Sequence, residues 1–210
     1  MPTIAGKPVF DVMPDFVAPP RQTVSMHMLL SGHSPAPRIA AFKGKRPAHV
    51  LPFEYVVLSQ EERNAIEDHW NAMYGRGGGF WIPSWHKDLA LVANWSLGAT
   101  ALQIEYVGYN ATFLADANTY ALGRWIWIRY PDGTMDYREV TAASGSATPE
   151  TLTVAAMSKA GVASACAAGF MHYVRFASDA LIWQAKGVNN ARVKLDMVEI
   201  LDVTSEADAA

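Results

Sequence analysis

One cysteine in 210 residues, Cys166, rules out an internal disulfide. Set between Ala165 and Ala167, it reads as a small core hydrophobe. Cys–Cys and Cys–His spacings are missing, and with them the patterns of a structural zinc site. Basic runs are missing too. The net charge is −3 and the pI is near 6, so strong nucleic-acid binding is not suggested. Lys43, Lys45 and Arg46 form the one small basic cluster, which reads as a solvated loop. No apolar run approaches the ~18 residues of a membrane helix. The start of the chain lacks a basic stretch followed by an apolar one, so no secretory signal is read and folding in a reducing cytoplasm is expected.

Catalytic patterns are scarce. There is no Gly-x-Ser-x-Gly elbow. The six histidines His27, His33, His49, His69, His86 and His172 do not fall into HxxxH or HExxH spacing. His86 with Asp88 offers at most a metal pair, and His69 falls on an apolar helix face. The run Gly75-Arg76-Gly77-Gly78-Gly79 suggests a phosphate loop, but such a loop follows a strand and opens a helix. Here the glycines follow a helix, and Phe80 stands where a further glycine is needed. Glu105, Asp116, Asp132, Asp136 and Glu139 could supply an acidic pair of the glycosidase kind, although solvation is the default for each. Asp179 suits a turn cap or a pair with Arg175. No catalytic, cofactor-binding or metal-ligating residue is assigned.

What the chain does have is a hydrophobic half, seven tryptophans and a clear run of elements. The tryptophans suit packing and interface anchoring, or alternatively a sugar-stacking surface. The first 22 residues are proline-rich and predict an extended arm, frayed or docked on a neighbour. Strands are expected at 23–30, 38–42 and 50–58. Ser59 and Glu62 then form a capping box. Ala65, Ile66, His69, Trp70 and Met73 share one face of the helix that follows, with Gly75 as its C-cap. Phe80-Trp81-Ile82 is a strand closed by Pro83. Further strands are expected at 102–106, 125–130, 135–141 and 151–154, with Asp132-Gly133 as a hairpin signal. Residues 155–169 carry little pattern. Strands return at 171–176, 181–183 and 192–201, and the last ten residues are expected to be disordered.

The fold class is therefore mostly β with one principal helix, an α+β arrangement. Residues 1–95 and 172–210 make a base domain of antiparallel strands packed on the helix. Residues 96–171 make an inserted small β-barrel.

Two blocks carry a resemblance. Tyr55 to Leu58, then Gln60 to Tyr74, then Gly77-Gly78-Gly79 and Phe80-Trp81-Ile82-Pro83 repeat a strand, helix, glycine break and aromatic strand. Val174-Arg175-Phe176-Ala177-Ser178-Asp179 and Val193 to Ile200 repeat a closing RF-x-x-D … V-x-L-x-x-x-E pattern. Over roughly residues 50–95 and 172–201 the chain resembles the minor tail and distal tail proteins at the tail tip of long-tailed bacteriophages, including the lambda-type minor tail protein M. Relative to the shortest members, residues 96–171 are an insertion. The resemblance implies a non-enzymatic structural protein of the virion, made in the host cytoplasm. Its copies would form a homo-oligomeric ring, a hexamer by analogy, that closes the tail tube. Its partners would be the tube protein and the hub or fibre proteins, with genomic DNA crossing the channel without sequence-specific binding. The alternatives are a carbohydrate-binding tail module for host glycans, a cell-wall hydrolase, or a head–tail joining protein.

Overall fold

A computed structural model describes residues 2–15, 23–25, 28–31, 38–42, 48–114, 122–185 and 190–200, with side chains described outside 23–49. Fourteen strands and two helices occur among them. In chain order they are β1 (Thr3–Ile4), β2 (Lys7–Pro8), β3 (Thr23–Ser25), β4 (Met28–Ser31), β5 (Arg38–Phe42), β6 (Ala48–Val57), α1 (Gln60–Ala72), β7 (Phe80–Pro83), β8 (Ala101–Ile104), α2 (Tyr109–Thr112), β9 (Trp125–Arg129), β10 (Met135–Ser144), β11 (Glu150–Val154), β12 (Ala167–Phe176), β13 (Trp183–Ala185) and β14 (Ala191–Glu199). The chain is mostly β, and its strand ladders are antiparallel. The principal helix falls where its sequence pattern put it. No helix among the described residues is long and apolar enough to cross a membrane.

The chain divides into two compact units: Met1–Asp11 with Trp81–Tyr173, and Val12–Phe80 with Val174–Ala210. The sequence boundaries at 95/96 and 171/172 fall elsewhere. Residues 81–95 pair with the segment expected to be inserted: Ser84 N–H donates to the Phe170 carbonyl, Leu89 to Ala168 and Trp95 to Gly161. The expected boundary at 171/172 lies two residues before the border at 173/174, and both fall within β12. Residues 155–169, which carry little pattern in the sequence, include the first residues of β12, because Ala167-Ala168-Gly169 has none of the side chains that favour strands.

In the first unit the order is β12–β9–β10–β11–β8. β10 serves two neighbours: Met135 to Glu139 pair with β9, and Val140 to Ser144 pair with β11. A register shift between Val140 and Ala142 separates the halves, and a bulge of this kind bends and twists a strand. The ladder ends at β8 and β12. Between those ends lies only the segment around Leu89–Val92, joined by single bridges from Leu89 to Ala168 and from Leu91 to Ile104. Among the described residues a continuous closed barrel is not shown. The core comprises Leu102, Ile104, Ile126, Ile128, Val140, Leu152, Val154 and Cys166, among others. Gly161 permits Trp95 to lie flat on the backbone, since a Cβ there would stand 2.1 Å from its ring.

Residues 3–10 correct the expectation of an extended arm. β1 and β2 form a hairpin with the turn Ala5-Gly6, whose φ values are 49° and 78°. Both lie in the left-handed region that short hairpin turns need. The hairpin buries Ile4, Val9 and Phe10 against its own unit. Trp81 Nε1 donates to the Ile4 carbonyl at 3.1 Å, and Phe10 N–H donates to the Trp81 carbonyl at 2.8 Å. Flanking prolines hid this turn in the sequence. Residues 16–22 of the expected arm lie outside the described residues, as do 201–210.

In the second unit β3, β6, β14 and Val174–Phe176 of β12 lie side by side, β13 also pairs with β14, and β4 and β5 form a separate hairpin. The β6–β14 register sorts the two faces. Leu51↔Met197, Phe53↔Leu195 and Tyr55↔Val193 are buried, while Glu54↔Lys194 and Val56↔Arg192 point the other way. Helix α1 begins as its sequence indicates. Ser59 Oγ accepts from Glu62 N–H, and the Glu62 carboxylate accepts from Leu58 N–H at 2.8 Å. This is a capping box displaced by one residue from the usual backbone partner. Ile66 and His69 are the buried residues of its stripe; Trp70 is half-buried against Phe176, with ring centroids 4.5 Å apart. The left-handed residue after the helix is Tyr74 at φ 51°, followed by Gly75 at 61°, so the cap expected at Gly75 spans both.

Candidate functional site

Three of the acidic residues considered for a catalytic pair are engaged by partners of their own. Asp132 takes bonds from Thr134 and an ion pair from Lys159. The Lys159 bond and then Thr134 lower its pKa to about 2. A general acid needs the opposite shift. Glu139 pairs with Arg124 at 3.0 Å. Asp136 is buried, and Arg138 Nη2 donates to both of its oxygens at 2.7 and 2.8 Å. Ser158 adds a hydroxyl bond at 2.8 Å and a backbone bond at 3.3 Å. Glu105 is exposed, and Asp116 lies outside the described residues. The sequence reading missed Glu150, the most buried carboxylate of the set, 1% exposed. It accepts from Val107 N–H at 3.0 Å and Tyr109 N–H at 2.7 Å, and so opens α2. Its position one residue after Pro149 gave no catalytic or capping signature.

Histidines and glycines resolve into local structure. His69 sits edge-on to Phe80, with centroids 4.7 Å apart. Burial lowers its pKa to about 4. His172 is buried in β12, and His27, His33 and the side chain of His49 lie outside the described residues. His86 and Asp88 flank a turn in which Asp88 is committed: its Oδ2 accepts from Ser84 Oγ at 2.5 Å and from Phe170 N–H at 3.1 Å. Trp127 Nε1 donates to Ser84 Oγ at 3.2 Å. Gly169 makes room for this turn, since a Cβ there would stand 2.3 Å from the His86 carbonyl oxygen. Among the described residues no three His, Cys, Asp or Glu come together as a metal cluster. Gly75–Gly77 form a 3-10 turn at the C-terminal end of α1, and Gly78 N–H donates to the Met73 carbonyl. Asp179 pairs with Arg76 at 2.7 Å rather than with Arg175, and its Oδ1 accepts Arg76 N–H at 3.0 Å.

Two features remain as candidates for function. The first is a surface on the second unit. Tyr74 is 86% exposed and Ile182 70% exposed, and they flank in sequence the two residues of the Arg76–Asp179 pair. β13 begins directly after Ile182. The second is a cavity of about 650 Å3 in the first unit, lined by Thr3 of the hairpin, by Pro2 and Asp11 that flank it, and by the β9–β10 turn and strand from Gly133 to Arg138. No tryptophan stands on an exposed platform: Trp81, Trp95 and Trp127 are buried, and Trp70, Trp85, Trp125 and Trp183 are half-buried. No family model matches the chain, and a search of curated proteins gives no match.

Proposed function

We propose that this chain is a structural subunit of a bacteriophage tail tip. The supporting observation is where the two resemblance blocks meet. Val50 to Phe80 and Val174 to Glu199 are far apart in sequence, yet they fold into one unit, with β14 paired along β6 and Asp179 tied to Arg76 just after α1. Most of the pattern residues thus share one unit, where Phe176 of the RF segment packs on Phe80 of the aromatic strand, with centroids 4.6 Å apart; Trp81-Ile82-Pro83 and the rest of the first block to residue 95 belong to the other unit.

In this reading the second unit is the ring-forming base, and the first unit, with the segment at Leu89–Val92, is a small barrel-like module. Copies associate head to tail, a contact that closes into a ring when the rotation allows. The hairpin at residues 3–10 is occupied in its own chain, so the contact falls to a strand edge. β13 with Ile182 and Tyr74 is the edge we assign. Backbone pairing sets the register there, and exposed apolar side chains supply the energy. The ring closes the tail tube and joins it to hub or fibre proteins, the protein resides in the virion after synthesis in the host cytoplasm, and it carries no enzymatic activity. A net charge of −3 suits a channel that DNA crosses without being held.

Light scattering and negative-stain microscopy of the purified chain test this. Rings with a central hole are expected, hexameric by analogy. Ile182→Asp should abolish rings while leaving the circular dichroism unchanged. A chain that stays monomeric at high concentration and also beside its tail-tube partner refutes the proposal.

A further inference from the structure

We propose that the cleft between the N-terminal hairpin and the β9–β10 turn binds a neutral saccharide. The idea is independent of ring assembly, because every lining residue belongs to the first unit.

Size and lining point the same way. A cavity of about 650 Å3 falls within the ~300–1,000 Å3 of small-molecule sites. Most small-molecule sites are lined mainly by hydrophobic and aromatic side chains with a few polar groups. This one presents Thr3, Thr134, Asp11, Asp136, Tyr137 and Arg138, with Met135 as its one long aliphatic side chain. An apolar ligand would strip water from these groups and return nothing.

The hydrogen-bond inventory separates a fixed wall from a free rim. Asp136 is the wall, held by Arg138 and Ser158. Arg138 Nη1 is committed to the Tyr137 carbonyl at 3.1 Å. Asp11 is the rim: it is exposed, and its Oδ2 accepts one long bond from Tyr137 Oη at 3.3 Å. Burial, with the Asp11 carboxylate behind it, raises the Tyr137 pKa, so the phenol stays protonated and keeps its donor. The Asp11 carboxylate keeps free acceptor positions beside the Tyr137 phenol, and Thr3 in the same lining adds a hydroxyl, a set suited to sugar hydroxyls. The half-buried Tyr137 ring adds an apolar face for the C–H side of a sugar.

Charge excludes the other ligand classes. An anion would face Asp11 and Asp136, and the one guanidinium in the lining already serves Asp136. A cation would gain only one exposed carboxylate, an interaction that is weak and salt-screened. An uncharged polyhydroxyl ligand gains several directed bonds, those to Asp11 being the stronger charge-assisted kind.

Titration of the full-length protein with maltotriose, cellotriose, chitotriose and galactotriose, followed by amide NMR, tests the proposal. At least one trisaccharide is expected to bind in the millimolar range or tighter, with shifts concentrated at Thr3, Asp11, Gly133, Thr134 and Tyr137. Asp11→Ala should weaken it about tenfold, as expected for losing a bond to a charged group. Tyr137→Phe should weaken it less, and Glu105→Gln should leave it unchanged. Spectra of each variant report folding directly. No binding by any of the four at millimolar concentration overturns the proposal. So does binding that maps elsewhere, binding indifferent to Asp11→Ala in a folded protein, or preference for a tetralysine peptide over the sugars.

Discussion

Acidification should weaken the second unit through one imidazole. His69 is 0% exposed, packed edge-on to Phe80. It also lies in the last turn of α1, where the helix dipole favours a cation by about 0.3–1 kcal/mol. Burial wins, and the folded pKa falls from 6.5 to about 4. The unfolded chain therefore binds the proton more readily, and stability drops as the pH falls from 6.5 through 4. Protonating both states in full should cost on the order of 3 kcal/mol. At pH 5 about 2 kcal/mol should already be lost relative to pH 7.5. Against a typical domain stability of ~5–15 kcal/mol, that loss is readily measured. The assay has two arms. NMR should show the His69 ring still neutral at pH 5.5. Denaturant unfolding at pH 7.5 and 5 should show the extra loss in the parent chain but not in His69→Gln, which removes the titration and leaves the carboxylate contribution common to both. An imidazole titrating between 6 and 7, or identical pH slopes for parent and variant, refutes the reasoning.

Three substitutions at two positions probe the first unit. Trp81→Ala should cost about 3–5 kcal/mol through lost burial and a cavity, and Trp81→Phe about 1–3 kcal/mol by orphaning the Ile4 carbonyl; proteolysis ahead of Asp11 should rise in both, and resistance equal to the parent's would contradict the docked hairpin. Gly169→Ala should cost at least about 1–3 kcal/mol, because the new Cβ meets the His86 carbonyl oxygen, which is backbone and gives way poorly; a melting temperature unchanged by this substitution counts against the Ser84–Asp88 turn as drawn.

The parts of the fold readable from sequence were those fixed by local rules. Ser59 and Glu62 mark the start of α1 because a cap needs only residues three or four apart. Asp132-Gly133 marks the β9–β10 turn because Gly133, at φ 84°, needs no distant partner. Features that depend on distant partners were not readable. The turn at Ala5-Gly6 is held by Trp81, and β12 begins at Ala167 because its backbone pairs with Arg129. The cleft was invisible for the same reason: Asp11 and Tyr137 are 126 residues apart, and neither sits in a recognisable motif. Asp136 was named among the candidate carboxylates, but its burial beside Arg138 and Ser158 gives it a structural role that sequence order alone does not reveal.

The chain's passage between units gives a sharper deletion test than the sequence boundaries do. Deleting 96–171 would leave Trp81, Ile82 and Leu89, all 0% exposed in the intact protein, without the strands that cover them. Leu89 would lose Ala168, and residues 3–10 would keep only part of their support. Such a chain should aggregate. Cutting at the unit borders avoids this. On one side of the border Phe80 and Phe176 stack at 4.6 Å, and on the other Trp81 and Tyr173 stack at 5.2 Å, so β7 and β12 run close together where the chain crosses. Residue 80 can therefore be joined to residue 174 by a short glycine-serine linker, whose closure entropy is small because cost grows only slowly with length. The shortened chain, begun at Val12, should keep the β6–β14 pairs and α1, and its His69 should still titrate near 4. A cooperative unfolding transition with that low imidazole pKa supports two self-sufficient units. A molten chain whose His69 titrates as in a free peptide shows instead that the second unit folds only on the first.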